Sequence, residues 1–232
     1  RTPLNAIIGF GQILSEQFDR DKDHLHMEYA EYIVDGGRRL LNSISDMLLA
    51  SDARSGPISI NDADCTTGEI VEAARAAVER AAANAGAILS LAFENPELEL
   101  RCDRALMARA LAKLIDNAVK YAPRGAHVMI GAALTRNGAL AFLVEDDGPG
   151  IEPARLALVS QPFGQCDLSL RRSKEGLGLG LPLAQAIAAA HGASFRLDST
   201  PGKGVRALIV LPPERVLAPR RPAMAAPRAI NA

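Results

Sequence analysis

Apolar residues recur at helical spacing over the first fifty residues of the chain. Between Leu4 and about Glu16 they return every three or four residues, and the polar run DRDKDHLH then ends the pattern. From Met27 to about Ser51 a second helical pattern steps by four and three residues, the spacing of a coiled-coil seam. We therefore predict two antiparallel helices, joined by a polar loop, over residues 1–53.

The apolar stripe of this hairpin is wide. Leu41 and Leu48 extend the seam sideways, so two helices alone cannot bury it. A second copy of the chain would cover the stripe in a four-helix bundle, and we predict a homodimer through the hairpin. A plain hairpin packed on its own chain is the alternative.

After the connector DARSGPISI, helical and strand-like patterns alternate. Helices are predicted over 67–84, 103–121 and 179–190, and strands over 87–93, 126–134, 140–144, 194–197 and 205–211. Mixed elements with hairpin-like strand neighbours indicate an α+β fold over residues 57–213, an α/β sandwich with one sheet covered by helices on one face. Residues 214–232 are rich in Pro, Ala and Arg without periodicity, and we predict a disordered tail.

Composition and charge exclude several classes of partner. The formal net charge of −1 provides no basic excess for nucleic acid or for an anionic membrane. No apolar run reaches the roughly 20 residues of a membrane helix, so we expect a soluble, cytoplasmic segment with no direct membrane contact, whose parent could be anchored upstream of Arg1. Cys65, Cys102 and Cys166 are widely spaced, which indicates a reducing compartment and neither a disulfide framework nor a paired metal site.

The stretch VEDDGPGI ends a strand-like run in two aspartates. A carboxylate such as Asp146 at a strand end can accept a hydrogen bond from an exocyclic amine, and Gly148 and Gly150 let the backbone approach a flat ring. That chemistry suits adenine. A β-turn is the alternative, because D-G-P-G is favourable turn chemistry.

Two further glycine-rich stretches follow. EGLGLGL runs into a helix start, where exposed backbone N–H groups and the positive end of the helix dipole favour phosphates. It does not follow a strand within a βαβ unit, which excludes a Rossmann dinucleotide site. The other stretch, TPGKG over residues 200–204, is on its own only a hairpin loop.

The helix predicted over residues 103–121 ends in the stretch LIDNAVKYAP, which holds three side chains that could bind a nucleotide. Asn117, Lys120 and Tyr121 lie within about one turn, which brings together an amide oxygen for a hard cation, an ammonium for phosphate and an aromatic face. The group suits a magnesium nucleotide. A solvated helix face with a core tyrosine is the alternative.

The order of these motifs, with Phe163 in the loop between them, resembles the ATP-binding domain of sensor histidine kinases, in the GHKL (Bergerat) ATPase superfamily. The opening RTPLN resembles the end of that family's phosphoacceptor box, H-E-L-R-T-P-L-N. The acceptor histidine would then stand three residues before Arg1. Without the resemblance, Thr2 and Pro3 form an ordinary helix cap and first helical residue.

The resemblance implies a role for each matching residue. Asp146 would bind the adenine amino group in a pocket shaped by Gly148 and Gly150, while Tyr121 approaches the adenine. Asn117 would coordinate Mg²⁺, and Lys120 would approach the phosphates of ATP. The remaining nucleotide-binding residues implied are Phe163, Gly176, Leu177, Gly178, Leu179, Gly180 and Gly204.

The resemblance also implies a lid and two roles near the acceptor. Residues 164–175 would form a lid anchored by Phe163 that orders on nucleotide binding. Thr2 would help to position water for dephosphorylation of a partner. Pro3 would kink or end local helix bonding beside the phosphorylation site, rather than start a helix.

The implied reaction is attack by a histidine nitrogen on the γ-phosphorus of MgATP, followed by transfer to an aspartate of a response regulator. One departure from the family is Lys113, where a second asparagine is usual; it could contact phosphate or weaken Mg²⁺ binding. A degenerate, nucleotide-sensing signalling scaffold is therefore an alternative function. A clamp-type GHKL ATPase is a third, although such proteins carry a large transducer domain after the nucleotide domain. None of His24, His26, His127 and His191 replaces the acceptor; the first two are predicted in the bundle loop.

Overall fold

The computed structural model describes residues 2–20, 24–93, 95–159 and 178–217. The chain divides between Gly56 and Pro57 into two compact units. The elements are α1 (Thr2–Arg20), α2 (His24–Ser55), β1 (Ala63–Thr66), α3 (Thr67–Ala85), β2 (Ile88–Phe93), β3 (Glu99–Cys102), α4 (Arg104–Tyr121), β4 (His127–Leu134), β5 (Leu140–Asp146), α5 (Pro153–Val159), α6 (Gly180–Ala190), β6 (Ser194–Ser199), β7 (Val205–Leu211) and a short 3₁₀ helix (Pro213–Arg215).

The first unit is a pair of antiparallel helices in close contact. A Cβ atom added at Gly11 would lie 2.8 Å from Val34 Cγ2, and one added at Gly37 would lie 2.8 Å from Ile8 Cγ1. Glycine therefore lets the two backbones approach. Large apolar side chains remain exposed on the pair, among them Ile7, Phe10, Ile13, Leu14, Tyr29, Tyr32, Ile33, Leu40, Ile44, Met47 and Leu48.

Both helices are longer than predicted. α1 continues to Arg20 and α2 begins at His24, so most of the predicted polar loop is helical, and His24 and His26 lie in α2. At its other end α2 reaches Ser55, through the first residues of the predicted connector. Polar residues fit the exposed face of a helix as well as they fit a loop, so composition alone misplaced these ends.

The second unit is built on a five-stranded sheet in the order β2-β4-β5-β7-β6. The β2 and β4 strands are parallel and the other neighbours are antiparallel. The helices α3, α4 and α6 pack against the strands. Alternate residues of β5, such as Phe142 and Val144, are buried on the helix-covered face. The predicted α+β fold is confirmed.

Two polar connections, one of them through a buried histidine, set the position of α4. Its N-cap residue Asp103 accepts a hydrogen bond from the Leu106 N–H through Oδ1. The Asp103 N–H donates to Nε2 of His191, which is fully buried, and Nδ1–H of the same ring donates to the Ile187 carbonyl. His191 thus joins the start of α4 to the end of α6.

Three short elements escaped the sequence patterns. β1 and β3 form a separate antiparallel pair of four-residue strands, and α5 has seven residues. Such lengths are too short for a clear period. The pairing brings the Sγ atoms of Cys65 and Cys102 to 3.5 Å from each other. Wide spacing in the sequence therefore does not keep these two thiols apart in the fold.

The predicted disordered tail is wrong for its first four residues. Arg215 closes the 3₁₀ helix, and its guanidinium donates to Asp62 Oδ1 and to the carbonyl oxygens of Arg101 and His191. Val216 then bridges to Leu100. A single arginine anchor leaves no periodic signal in the sequence. Residues 218–232 lie outside the described part of the chain.

None of the helices in the described residues is long and apolar enough to cross a membrane.

Candidate functional site

Helix α4 carries three of the predicted site residues in its last two turns. Its apolar side chains Met107, Leu111 and Ile115 are fully buried in the core of the second unit. Asn117 and Lys120 are partly buried. The Tyr121 ring ends the helix and is 52% exposed. The helical period thus separates a packing face from a polar face that can meet a ligand.

Lys120 has a partner on its own helix. Its Nζ donates to Asp116 Oδ2 at 2.6 Å, one helical turn away. The pair is partly exposed, and such pairs exchange partners at little cost. In this structure the Lys120 ammonium is therefore paired with Asp116, the residue directly before Asn117.

Asn117 lies against the start of α6. A Cβ atom added at Gly180 would lie 3.1 Å from Asn117 Nδ2 and 3.3 Å from Oδ1. Gly180 is the first residue of α6, and Leu179 before it makes no side-chain cap hydrogen bond. The asparagine amide therefore lies next to the uncapped N-terminus of α6.

Asp146 is the last residue of β5. Its carboxylate accepts hydrogen bonds from the backbone N–H groups of Gly148, at 2.9 Å, and of Val205. Burial raises the pKa of Asp146, and these two hydrogen bonds oppose the rise. A Cβ atom added at Gly148 would lie 3.3 Å from Ala122 Cα, so this loop packs against the end of α4.

The TPGKG loop is more than a hairpin turn, because it interlocks with the loop after β5. Gly204 has φ +82°, and a Cβ atom there would lie 1.7 Å from the Asp146 carbonyl oxygen. Gly150 has φ +67°, and a Cβ atom there would lie 2.2 Å from the Thr200 carbonyl oxygen. The Gly202 N–H donates to the Pro149 carbonyl at 2.8 Å. Only glycine permits this backbone-to-backbone packing.

Ser199 completes the interlock and was missed by the sequence patterns. Its Oγ accepts a hydrogen bond from the Ile151 N–H at 2.7 Å, and its hydroxyl donates to the Gly204 carbonyl at 2.8 Å. The predicted strand ended at Leu197, whereas β6 continues to Ser199. A hydroxyl residue directly before the T-P-G-K-G turn was the available signal.

Several predicted site residues are not placed by the structure. Phe163, Gly176, Leu177 and the lid stretch 164–175 lie outside the described residues. Thr2 and Pro3 lie in the first turn of α1, in the first unit, and their side chains are not described. The predicted kink at Pro3 involves residues before Arg1 and stays a prediction.

The donor set near Asn117 fits a magnesium ion shared with phosphate oxygens. Within the described residues, no group of three or more His, Cys, Asp or Glu side chains could hold a metal ion by itself. Mg²⁺ commonly takes one or two protein oxygens and completes its shell with phosphate oxygens and water. The Asn117 amide oxygen can supply one such ligand.

Comparison with known proteins agrees with this arrangement. Residues 1–56 match the family model of the His Kinase A (phospho-acceptor) domain, and residues 102–215 match that of the histidine kinase-, DNA gyrase B- and HSP90-like ATPases. The histidine protein kinase DivJ of Caulobacter vibrioides is 34% identical over 91% of this chain and 35% of its own length. An uncharacterised sensor-like histidine kinase of Rhizobium meliloti is 32% identical over 98% of this chain and 43% of its own.

A third relative and one solved structure support the same conclusion. The cell-division control histidine kinase PdhS of Brucella anthropi is 30% identical over 94% of this chain. This chain spans only 22% of PdhS, and less than half of the other two relatives. Full-length ShkA, solved in complex with AMPPNP, shares the fold with a TM-score of 0.72, at 23% identity over 94% of this chain and 44% of its own. The chain therefore belongs to the sensor histidine kinases, with a phosphoacceptor-type helical hairpin followed by a GHKL-type ATPase domain.

Proposed function

We propose that this chain is the kinase core of a two-component system. It binds MgATP beside α4, promotes transfer of the γ-phosphoryl group to a histidine of the phosphoacceptor box, and passes that group to an aspartate of a response-regulator receiver domain. The observation that carries the proposal is the placement of Asn117 against Gly180 at one side of α4, with Asp146 fixed beside the end of the same helix.

The adenine end of the site is organised around Asp146. Its carboxylate is held by the Gly148 and Val205 N–H groups, so its remaining acceptor capacity has a defined direction. That capacity suits the exocyclic amine of adenine. The exposed ring of Tyr121 would stack on a face of the adenine. The space beside Gly150 is filled by the Thr200 carbonyl, so this glycine serves the packing of the two loops rather than room for the base.

The phosphate end of the site uses α4 and α6 together. The uncapped first turn of α6 presents backbone N–H groups and the positive end of its dipole, both of which favour phosphates. Asn117 would hold Mg²⁺, which neutralises charge on the phosphates and on the leaving ADP when it is bound. Lys120 would exchange Asp116 for a phosphate oxygen. Gly176, Leu177, Gly178 and Leu179 would lie along the triphosphate.

In the transfer, the histidine nitrogen forms a bond to the γ-phosphorus while the bond to the bridging oxygen of ADP breaks. The protein contributes position and charge rather than a covalent group of the ATPase domain. Thr2, four positions after the histidine of the box, would help to position water for dephosphorylation of the partner, a hydrolysis that is separate from the transfer from ATP.

The first unit supports the homodimer part of the proposal. Its exposed apolar side chains, such as Leu40 at 52% and Met47 at 49%, form a stripe that a second copy would bury. We expect Leu40→Asp to convert a dimer to a monomer in light scattering. Asn42→Asp, at an exposed polar position of the same helix, is the matched control and should leave the dimer intact.

A trans-labelling experiment tests the kinase activity. The chain is mixed with a longer form that includes the residues before Arg1 and carries Asn117→Ala, and γ-labelled MgATP is added. The longer form can accept phosphate but cannot use ATP, so acid-labile, base-stable label on it would show catalysis by the unmodified chain. A donor with Asn117→Ala should give no label, whereas a donor with the exposed Asn84→Ala should label normally.

Lys113 favours a second candidate function, a nucleotide-sensing signalling scaffold, because it stands where the family usually has an asparagine. Mixed dimers that bind ATP but transfer no label would refute the kinase proposal and leave the scaffold. Restoration of transfer by Lys113→Asn in the donor would then assign the loss of activity to this residue.

A further inference from the structure

Cys65 and Cys102 form a buried thiol pair outside the nucleotide site. Cys65 lies opposite Leu100 in the β1–β3 register, and Cys102 lies opposite Ala63, so the two cysteines are diagonal neighbours on one face. Their Sγ atoms are 3.5 Å apart, and both thiols are free. The sequence separates them by 37 positions, so the pairing is a product of the fold.

The two thiols differ in environment. A hydrogen bond from the Cys102 thiol lowers the pKa of Cys65, more than burial and the nearby Glu69 raise it. The same hydrogen bond and burial raise the pKa of Cys102. Cys65 is 7% exposed and Cys102 is 0% exposed. A small reagent therefore meets Cys65 first, and Cys65 is the thiol that ionises first.

We propose that Cys65 and Cys102 are a reversible oxidation site, which a small hydroperoxide converts to a disulfide between β1 and β3. The Cys65 thiolate attacks the peroxide, the O–O bond breaks, and Cys65 becomes a sulfenic acid while the peroxide leaves as an alcohol or water. The Cys102 sulfur then attacks Cys65, the S–O bond breaks, and water leaves with the Cys102 proton. The two thiols are oxidised by two electrons and the peroxide is reduced by two.

The strand pair can accommodate this bond. A disulfide requires the sulfurs to approach to about 2.05 Å, a movement of roughly 1.5 Å from the thiol separation. Ala63 is the first residue of β1 and Cys102 is the last of β3, so the pair lies at one end of a two-stranded sheet, where backbone can adjust. Cys102 directly precedes Asp103, the N-cap of α4, so oxidation would fasten β1 to the start of the helix that carries Asn117.

The test uses the full chain with Cys166→Ser, so that these are its two cysteines. The folded protein is treated with graded hydrogen peroxide and analysed by intact mass and by peptide mapping without reductant. We expect a loss of about 2 Da, one cross-linked peptide pair that joins Cys65 to Cys102, and full reversal by dithiothreitol. A reference protein carries Ser59→Cys at an exposed position and serine at all three native cysteine positions. Oxidation of its one cysteine calibrates the peroxide dose.

Single variants test the order of the steps. In the Cys102→Ser variant, the sulfenic acid on Cys65 has no second thiol to react with, so dimedone should trap it. We expect the dimedone adduct on Cys65 to form at least about tenfold faster than the adduct on Cys102 in the Cys65→Ser variant. Two thiols that remain free at doses that oxidise the reference cysteine would overturn the proposal, as would faster trapping at Cys102. The intact-mass result on the two-cysteine protein does not depend on whether either variant folds.

Discussion

The backbone of Gly204 packs directly against the carbonyl group of Asp146. A Cβ atom there would lie 1.7 Å from the Asp146 carbonyl oxygen, whereas real Cβ contacts lie beyond 3.0 Å, so Gly204→Ala must push the two loops apart. The left-handed φ of +82° costs alanine about 1–2 kcal/mol. Separation of the loops also weakens the Val205 and Ser199 hydrogen bonds, at about 1 kcal/mol each.

We therefore expect Gly204→Ala to lower the free energy of unfolding by about 3–4 kcal/mol. Denaturation in urea, followed by circular dichroism, measures that change. The same displacement moves the Asp146 carboxylate away from its ligand, and loss of one hydrogen bond to a charged group weakens binding by roughly 10- to 150-fold. Titration with a fluorescent ATP analogue measures the affinity at a temperature where the variant is folded.

Gly202→Ala is the matched control for this variant. Gly202 lies in the same loop with φ +77°, but a Cβ atom there would meet nothing within 4 Å. The variant should lose only about 1–2 kcal/mol of its free energy of unfolding, which is the cost of alanine in the left-handed conformation, and it should keep its nucleotide affinity. Equal losses of stability and affinity in the two variants would refute the role of the close approach at Asp146.

Three further variants test the second unit. Asp146→Asn should abolish nucleotide binding, yet at pH 7 it should melt at a higher temperature than the unmodified protein. Burial raises the pKa of Asp146, so ionisation of this carboxyl lowers the free energy of unfolding as the pH rises above the ordinary aspartate pKa of about 3.9. The difference in melting temperature should disappear when the melts are repeated below about pH 4. A difference that does not change with pH would show that ionisation of Asp146 is not its cause. His191→Phe leaves the part-buried Asp103 N–H without its acceptor and should lower the free energy of unfolding by about 1–3 kcal/mol in urea denaturation. An unchanged midpoint would count against this connection. Thr66→Ala breaks the capping box with Glu69 and should lower the free energy of unfolding by about 1 kcal/mol in the same assay. The control Ser59→Ala, at an exposed position, should show no such loss.

Much of the fold was predictable where one signal ran through a whole element. Helix α4 combines a long apolar period with an N-cap aspartate at position 103, and its observed start agrees with the predicted one within a residue. The β7 strand has the predicted bounds, because six of its seven residues are apolar and five of them are Val, Ile or Leu. The four-residue strands β1 and β3 offered no such signal, and the ends of α1 and α2 were hidden by polar residues on an exposed face.

Residue types and their spacing are enough to predict the chemistry of the candidate site: a carboxylate at a strand end, an asparagine on a helix and glycines before a second helix. Those are local properties of residue type and spacing, although the ligand roles of the individual residues stay predictions. Three contacts could be seen only in the folded chain: the backbone packing of Gly204 on Asp146, the approach of Cys65 to Cys102 and the hydrogen bonds of Arg215. Such contacts join residues far apart in the chain, and they depend on strand register and loop packing, which no local pattern encodes.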